Sequence, residues 1–278
     1  MLYPYDTHVH TPYSPCGRKT DDEGAYLAAP ERYFRRAQEM GLQAIIFTDH
    51  FVENPAAPGS VPFYSSCGPE MISDLRAELA RLEPPEDCRI YVGCETETMS
   101  TEWVGVSPEV SAALDFVLVP TTHYHLPGVP CPPSWAPEDV ADHMLTMLAS
   151  VVTRPWLDSV AHPFAESEAL IGDLRAIYEA MDRARLEDVL GLAAHHGVAL
   201  EVNVSSLASK NMPHYTEMYA EIVPLAKQMG VRFTCGSDAH DHRRLGITQA
   251  AEEWIAAVGL TPDDFLTPEA LRARRGRS

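Results

Sequence analysis

Residues 3–10 read YPYDTHVH, a short apolar run that ends in two histidines. Six more runs end on a residue of similar chemistry: 44–50 (AIIFTDH), 89–95 (RIYVGCE), 116–123 (FVLVPTTH), 159–162 (SVAH), 199–203 (ALEVN) and 232–240 (RFTCGSDAH). Between them lie stretches with helical periodicity, at about 30–41, 68–82, 107–114, 137–152, 182–197, 215–229 and 248–258. Strand followed by helix, repeated, predicts a parallel barrel or a doubly wound sheet. Pro30 and Glu31 suit a first helical turn, and Gly41, Gly197 and Gly230 suit helix ends. Barrel sites form at the C-terminal ends of the strands. The His, Glu and Asp residues fall at those ends and are expected to converge on one mouth.

Composition narrows the field. The chain has 278 residues, ordinary for one barrel domain, and 45% hydrophobic content, enough for one sizeable core. A barrel domain is expected over 1–258, followed by a partly disordered, basic extension over 259–278 that ends in LRARRGRS. No run of about 18 apolar residues occurs, so no membrane span is expected. The start, MLYPYDTHVH, lacks a basic and an apolar signal region, which makes the cytoplasm the expected location. Net charge is −19. Such a surface repels phosphate backbones and disfavours nucleic acid unless a basic patch forms locally. The six cysteines show no CxxC pair and read as reduced thiols.

The chemistry lies in the strand-end residues. His8 and His10 are two apart in a strand, so both imidazoles reach one cation. Thr48-Asp49-His50 follows the second run. Glu95 is a carboxylate of the kind that bridges two close cations and offsets their repulsion, with Glu97 competing at the same parity. His123, with Tyr124 and His125, His162 before Pro163, and Asp238 with His240 complete the set. Gly236 lets the backbone approach closely. Imidazole and carboxylate together suit Zn, Mn or Fe, and eight such ligands suit two or three divalent ions. Asp6 and Asp49 read as acceptors that orient imidazoles or as backbone caps. His143, His195, His196 and His214 read as structural.

These motifs resemble the PHP (polymerase and histidinol phosphatase) family over about residues 3–245: HxH, TDH, the lone Glu, isolated histidines and the terminal GSDAH. The resemblance implies a distorted (β/α)7 TIM-like barrel with a trinuclear metal centre. By that resemblance His8, His10, Glu95 and Asp238 hold a first ion, and Glu95, His123 and His162 a second. His50 and His240 hold a third, joined by the residue eight positions after His8. That residue is Cys16, where the family usually has His or Asp. Either it is a thiolate ligand, which shifts the third position toward softer metals, or it is no ligand and that position is weak or empty.

The expected reaction is hydrolysis of a small-molecule phosphate ester, with a metal-bridging hydroxide as nucleophile. Glu95, Asp238, His240 and His125 are the candidate catalytic residues, with His125, His242 or a water protonating the leaving group. Arg18, Lys19, Asn203, Lys210 and Arg243 are candidate substrate contacts, with Arg244 and Ser205 beside them. Histidinol phosphate is the leading named substrate, although HPFAES after the fifth strand lacks the base that histidinol phosphatases tend to carry there. The Pro-rich loops 54–63 and 126–137 read as pocket walls or ordinary surface loops. The rival readings are a phosphodiesterase, phosphotriesterase or nuclease, an amidohydrolase-type barrel, and a non-catalytic metal sensor. The first group keeps the same metal site. The second is disfavoured because no strand carries a Lys, and the third because eight ligands and two loops surround one mouth.

Overall fold

The computed structural model describes residues 2–276. Eight strands run parallel: β1 (Tyr5–Val9), β2 (Ala44–Phe47), β3 (Arg89–Val92), β4 (Cys94–Glu95), β5 (Val117–Val119), β6 (Ser159–Val160), β7 (Ala199–Asn203) and β8 (Phe233–Gly236). They form two sheets, in the orders β1-β2-β3 and β4-β5-β6-β7-β8. Most of these strands are buried along their whole length, as parallel sheets covered on both faces require.

The sheets meet at two seams. At one, a single extended segment changes partner at Gly93, whose N–H donates to Phe47 O while Cys94 N–H donates to Phe116 O. A side chain at Gly93 would lie 2.4 Å from Phe116 O, so only glycine fits. At the other seam a lone parallel bridge joins Val9 to Ala239. Of the expected distorted (β/α)7 barrel, the described residues show two abutting parallel sheets, with no continuous ladder closing them.

The helices wrap the sheets because each carries one apolar stripe. Pro137–Val152 buries Val140, Met144, Leu145, Leu148, Val151 and Val152 at spacings of three and four. Each such side chain stabilises the fold by about 1.5–3 kcal/mol. Pro30–Met40 starts on a proline and ends at Gly41 with φ 71°, the left-handed stop that its sequence predicts. No helix among the described residues is long and apolar enough to cross a membrane, and all six cysteines are free.

The expected extension over 259–278 packs onto the body as far as it is described; Arg277 and Ser278 lie outside the described residues. Phe265 bridges to Phe233 at the start of β8, and its ring meets Tyr3 edge-on at 4.8 Å. Helix Pro268–Arg274 buries Leu271 completely. Basic composition alone does not reveal this, because Leu260, Phe265, Leu266 and Leu271 are scattered among exposed charges.

Candidate metal centre

The strand ends are shaped for close convergence. In β1 the pairing slips by one residue between Asp6 and Val9, a bulge at the first candidate ligand, His8. Asp6 accepts from the N–H groups of His8, Ser237 and Gly246, which ties β1 to the loop after β8. Gly236 ends β8 where a side chain would meet His8 Cβ at 2.4 Å and Glu201 Oε1 at 2.6 Å. Beyond it Asp238 has φ 57°, and His162, after β6, has φ 29°. Left-handed backbone at non-glycine residues costs about 1–3 kcal/mol each and is held here at two candidate ligands.

Glu95, the last residue of β4, stands at the hub. Its Oε1 lies 3.0 Å from His162 Nε2 and 3.8 Å from His123 Nε2. Its Oε2 lies 3.1 Å from His50 Nδ1, 3.4 Å from His10 Nε2 and 3.5 Å from His8 Nε2. Asp238 Oδ1 reaches His10 Nε2 at 3.3 Å and His8 Nε2 at 3.7 Å. Three overlapping groups have all their donor atoms within 4.8 Å of one another: His8, His10 and Glu95; Glu95, His123 and His162; and His10, Cys16, His50 and His240. All nine candidate ligands thus gather at one place.

A layer of carboxylates fixes the rings. Glu201, fully buried in β7, accepts from His8 Nδ1 at 2.8 Å and from the N–H of His162 at 2.7 Å. A carboxylate only accepts, so His8 Nδ1 carries a proton and Nε2 points to the centre. Glu97 does the same for His123 Nδ1 at 2.8 Å, and Tyr64 OH also donates to it at 3.1 Å. Parity left Glu95 and Glu97 equal; in the fold Glu95 faces the imidazole cluster and Glu97 the outer edge of His123. Asp49 accepts from the N–H and hydroxyl of both Thr11 and Ser14 and so shapes the turn that leads to Cys16.

Charges so placed shift one another. Burial alone raises Glu95, but the imidazoles, His50 and His8 first, hold its carboxyl well below the usual range. Burial opposes a charge on His8, yet Glu201, Asp238 and Glu95 together push it well above its ordinary value. Burial pushes His10 down to about 4 and His50 well down, and it pushes the Cys16 thiol up.

The donor set fits divalent metal. His8 Nε2 and His10 Nε2 face each other at 3.0 Å. His10 Nδ1 is buried without a hydrogen-bond partner. Buried lone pairs crowded together with two carboxylates are stable when a cation lies among them.

The remaining candidates divide. His125 stands at the rim with its side chain 56% exposed, and its N–H and Nδ1 are both held at 2.9 Å by buried Glu166 Oε2. Its ring lies 5.3 Å from that of His123. Asn203 is buried and committed internally, to Glu201 Oε2 and to the N–H of Ser206. Arg18 is exposed and donates to Pro12 O; Arg243 is exposed and paired with Asp241. Lys19 and Lys210 are exposed and, among the described residues, make no hydrogen bond or ion pair with the cluster. Glu201, Glu166 and Tyr64 escape a reading by sequence. Only Glu201 leaves a trace, a lone acid in an otherwise apolar strand at the parity of Asn203.

No family model matches the chain. It is 27% identical over 279 residues to a probable phosphatase of Vibrio atlanticus, which spans 97% of this chain and 94% of the relative. It is 27% identical over 265 residues to a probable phosphatase of Thermoanaerobacter sp., covering 95% of this chain and 90% of that one. Among solved structures it resembles histidinol phosphate phosphatase of Lactococcus lactis, complexed with Zn, L-histidinol and phosphate, with a TM-score of 0.57 and 18% identity over 94% of this chain and 95% of that one. A chain of an archaeal ribonuclease P complex with mature tRNA gives a TM-score of 0.56 at 12% identity, over 97% of this chain and 90% of that one. At such identities these two likenesses show the fold.

Proposed function

We propose that this chain, a hydrolase of phosphate esters, is a PHP-type metallophosphoesterase whose two sheets are the halves of a distorted (β/α)7 barrel. The observation that carries this reading is the contact of one buried carboxylate, Glu95, with five imidazoles from four strand ends. His8, His10, Glu95 and Asp238 would hold one ion, and Glu95, His123 and His162 a second. His50, His240 and Cys16 would hold a third, with the thiolate favouring Zn or Fe there. When bound, the ions supply Lewis-acid polarisation of the phosphoryl group and an activated water.

The chain's own groups do the rest. Glu201 and Glu97 hold His8 and His123 in the tautomer that leaves Nε2 free. Glu166 holds His125 through Nδ1 at the exposed rim, and as an imidazolium the ring would have an Nε2–H to give to a departing alkoxide. Arg18 and Lys19 follow Cys16 on the same loop and are the cations nearest to the centre along the chain. The segment after His162 offers the buried carboxylate Glu166 instead of a guanidinium, and this favours a monoanionic diester as the second reading. Phosphate release from L-histidinol phosphate and alcohol release from a simple phosphodiester test the two readings with metal-loaded and chelated protein. Chelator-sensitive release from either is expected; release that survives chelation sinks the metal reading.

A further inference from the structure

We propose that the cleft between helix Pro30–Met40 and the turn His242–Arg244 is a second oxyanion site that takes a phosphate group on the outer flank of the protein. The cleft encloses about 500 Å³ and is lined by Arg32, Arg35, Arg36, Glu39, His242 and Arg243. Four guanidiniums around one cleft run against a chain of net charge −19. Positions 32, 35, 36 and 39 share one helix face, so the helix presents its arginines together.

Three of the four are pinned by acids. Arg32 pairs with Asp21, Arg36 Nη1 meets Glu39 Oε2 at 3.1 Å, and Arg243 Nε meets Asp241 at 3.0 Å. A guanidinium has five N–H donors, so one carboxylate holds it in place without using them all. Among the described residues no carboxylate pairs with Arg35; its Nε donates only to Glu31 O, at 3.4 Å. Arg36 Nε is shielded from solvent and has no partner. On an ordinary solvated helix face every such donor is wet. A shielded, unpaired N–H beside an unpaired guanidinium is what a multidentate oxyanion completes.

The cleft abuts the centre through backbone. Tyr33, on the same helix, donates to His10 O at 2.9 Å and to Ala239 O at 2.8 Å. The turn that carries His242 and Arg243 follows His240 directly. A phosphate in the cleft therefore rests against the segments that present two candidate ligands. Its source is either free phosphate or the phosphoryl group of an ester.

Calorimetric titration of inorganic phosphate into metal-loaded protein tests this without reliance on the metal reading. A binding event is expected that weakens about tenfold or more in Arg35→Ala/Arg36→Ala and persists in Glu95→Ala. Arg35→Ala alone, at an exposed position, should show a smaller loss and guards against misfolding of the double variant. Phenylphosphonate separates the sources: tighter binding than phosphate assigns the cleft to an ester, weaker binding to free phosphate. Phosphate binding that no arginine substitution alters, or that Glu95→Ala removes completely, overturns the proposal.

Discussion

At the N-terminal ends of the strands, Asp115 and Asp158 each meet an arginine of the C-terminal segment; at the C-terminal ends, Glu95 and Asp238 meet imidazoles. Asp158 is held by Arg275, whose guanidinium also reaches the carbonyls of Ser111, Leu114 and Trp156. Asp115 is held by Arg272 and also accepts from the N–H of Val92. Both ends bury carboxylates. One supplies its countercharge from arginines of the chain, whereas the other gathers imidazoles around a shared carboxylate. Covalent attachment makes the first a staple, and the clustered imidazoles and carboxylates make the second a candidate metal site.

The largest effect should come from Glu95→Ala, because one carboxylate serves two of the proposed ion positions. Turnover of the best ester is expected to fall by about a thousandfold or more, with the circular dichroism of the fold retained. Near-normal turnover would erase the distinction between the two ends. Arg275→Ala should do the reverse. The Arg275 and Asp158 side chains are only 11% and 6% exposed, so an unpaired buried carboxylate remains. Urea unfolding should show a loss of about 3–5 kcal/mol, with unchanged activity per folded molecule and an unchanged stability gain on adding metal.

A finer probe is Glu201→Gln. It keeps an acceptor for the N–H of His162 but can present N–H to His8, so dialysis against a chelator should show metal affinity about 10–100-fold lower. Turnover at saturating metal should change far less than in Glu95→Ala. The smallest effect is expected from Arg243→Ala. Its side chain is 68% exposed and paired with Asp241, and KM should move by less than about threefold. A larger change would extend the site beyond the strand ends.

Periodicity and end signals carried the helices. The expected spans 30–41, 137–152 and 215–229 lie within about a residue of Pro30–Met40, Pro137–Val152 and Tyr215–Gln228. These helices bury regular stripes, so their pattern is local. The strands were legible as positions but not as lengths: His123 stands four residues past the end of β5, in backbone that runs on without a ladder. The ligand candidates were legible because they follow apolar runs. Their partners were not. His8 pairs with Glu201 across 193 positions, and neither periodicity nor parity encodes which side chain faces which over that distance. The C-terminal staple was hidden likewise, since Arg275 in an exposed tail and Arg275 on Asp158 read identically in one dimension.

The closing bond between Asp6 and Gly246 spans 240 positions. On a ribosome that adds about 5–20 residues per second, the first strand waits roughly ten to fifty seconds for the last. Throughout that interval β1 has β2 on one side and nothing on the other, and its two histidines have no Asp238 to face. The nascent chain thus carries an open sheet edge and an incomplete set of candidate ligands until residue 240 has been made. Only then could a metal ion meet all of them.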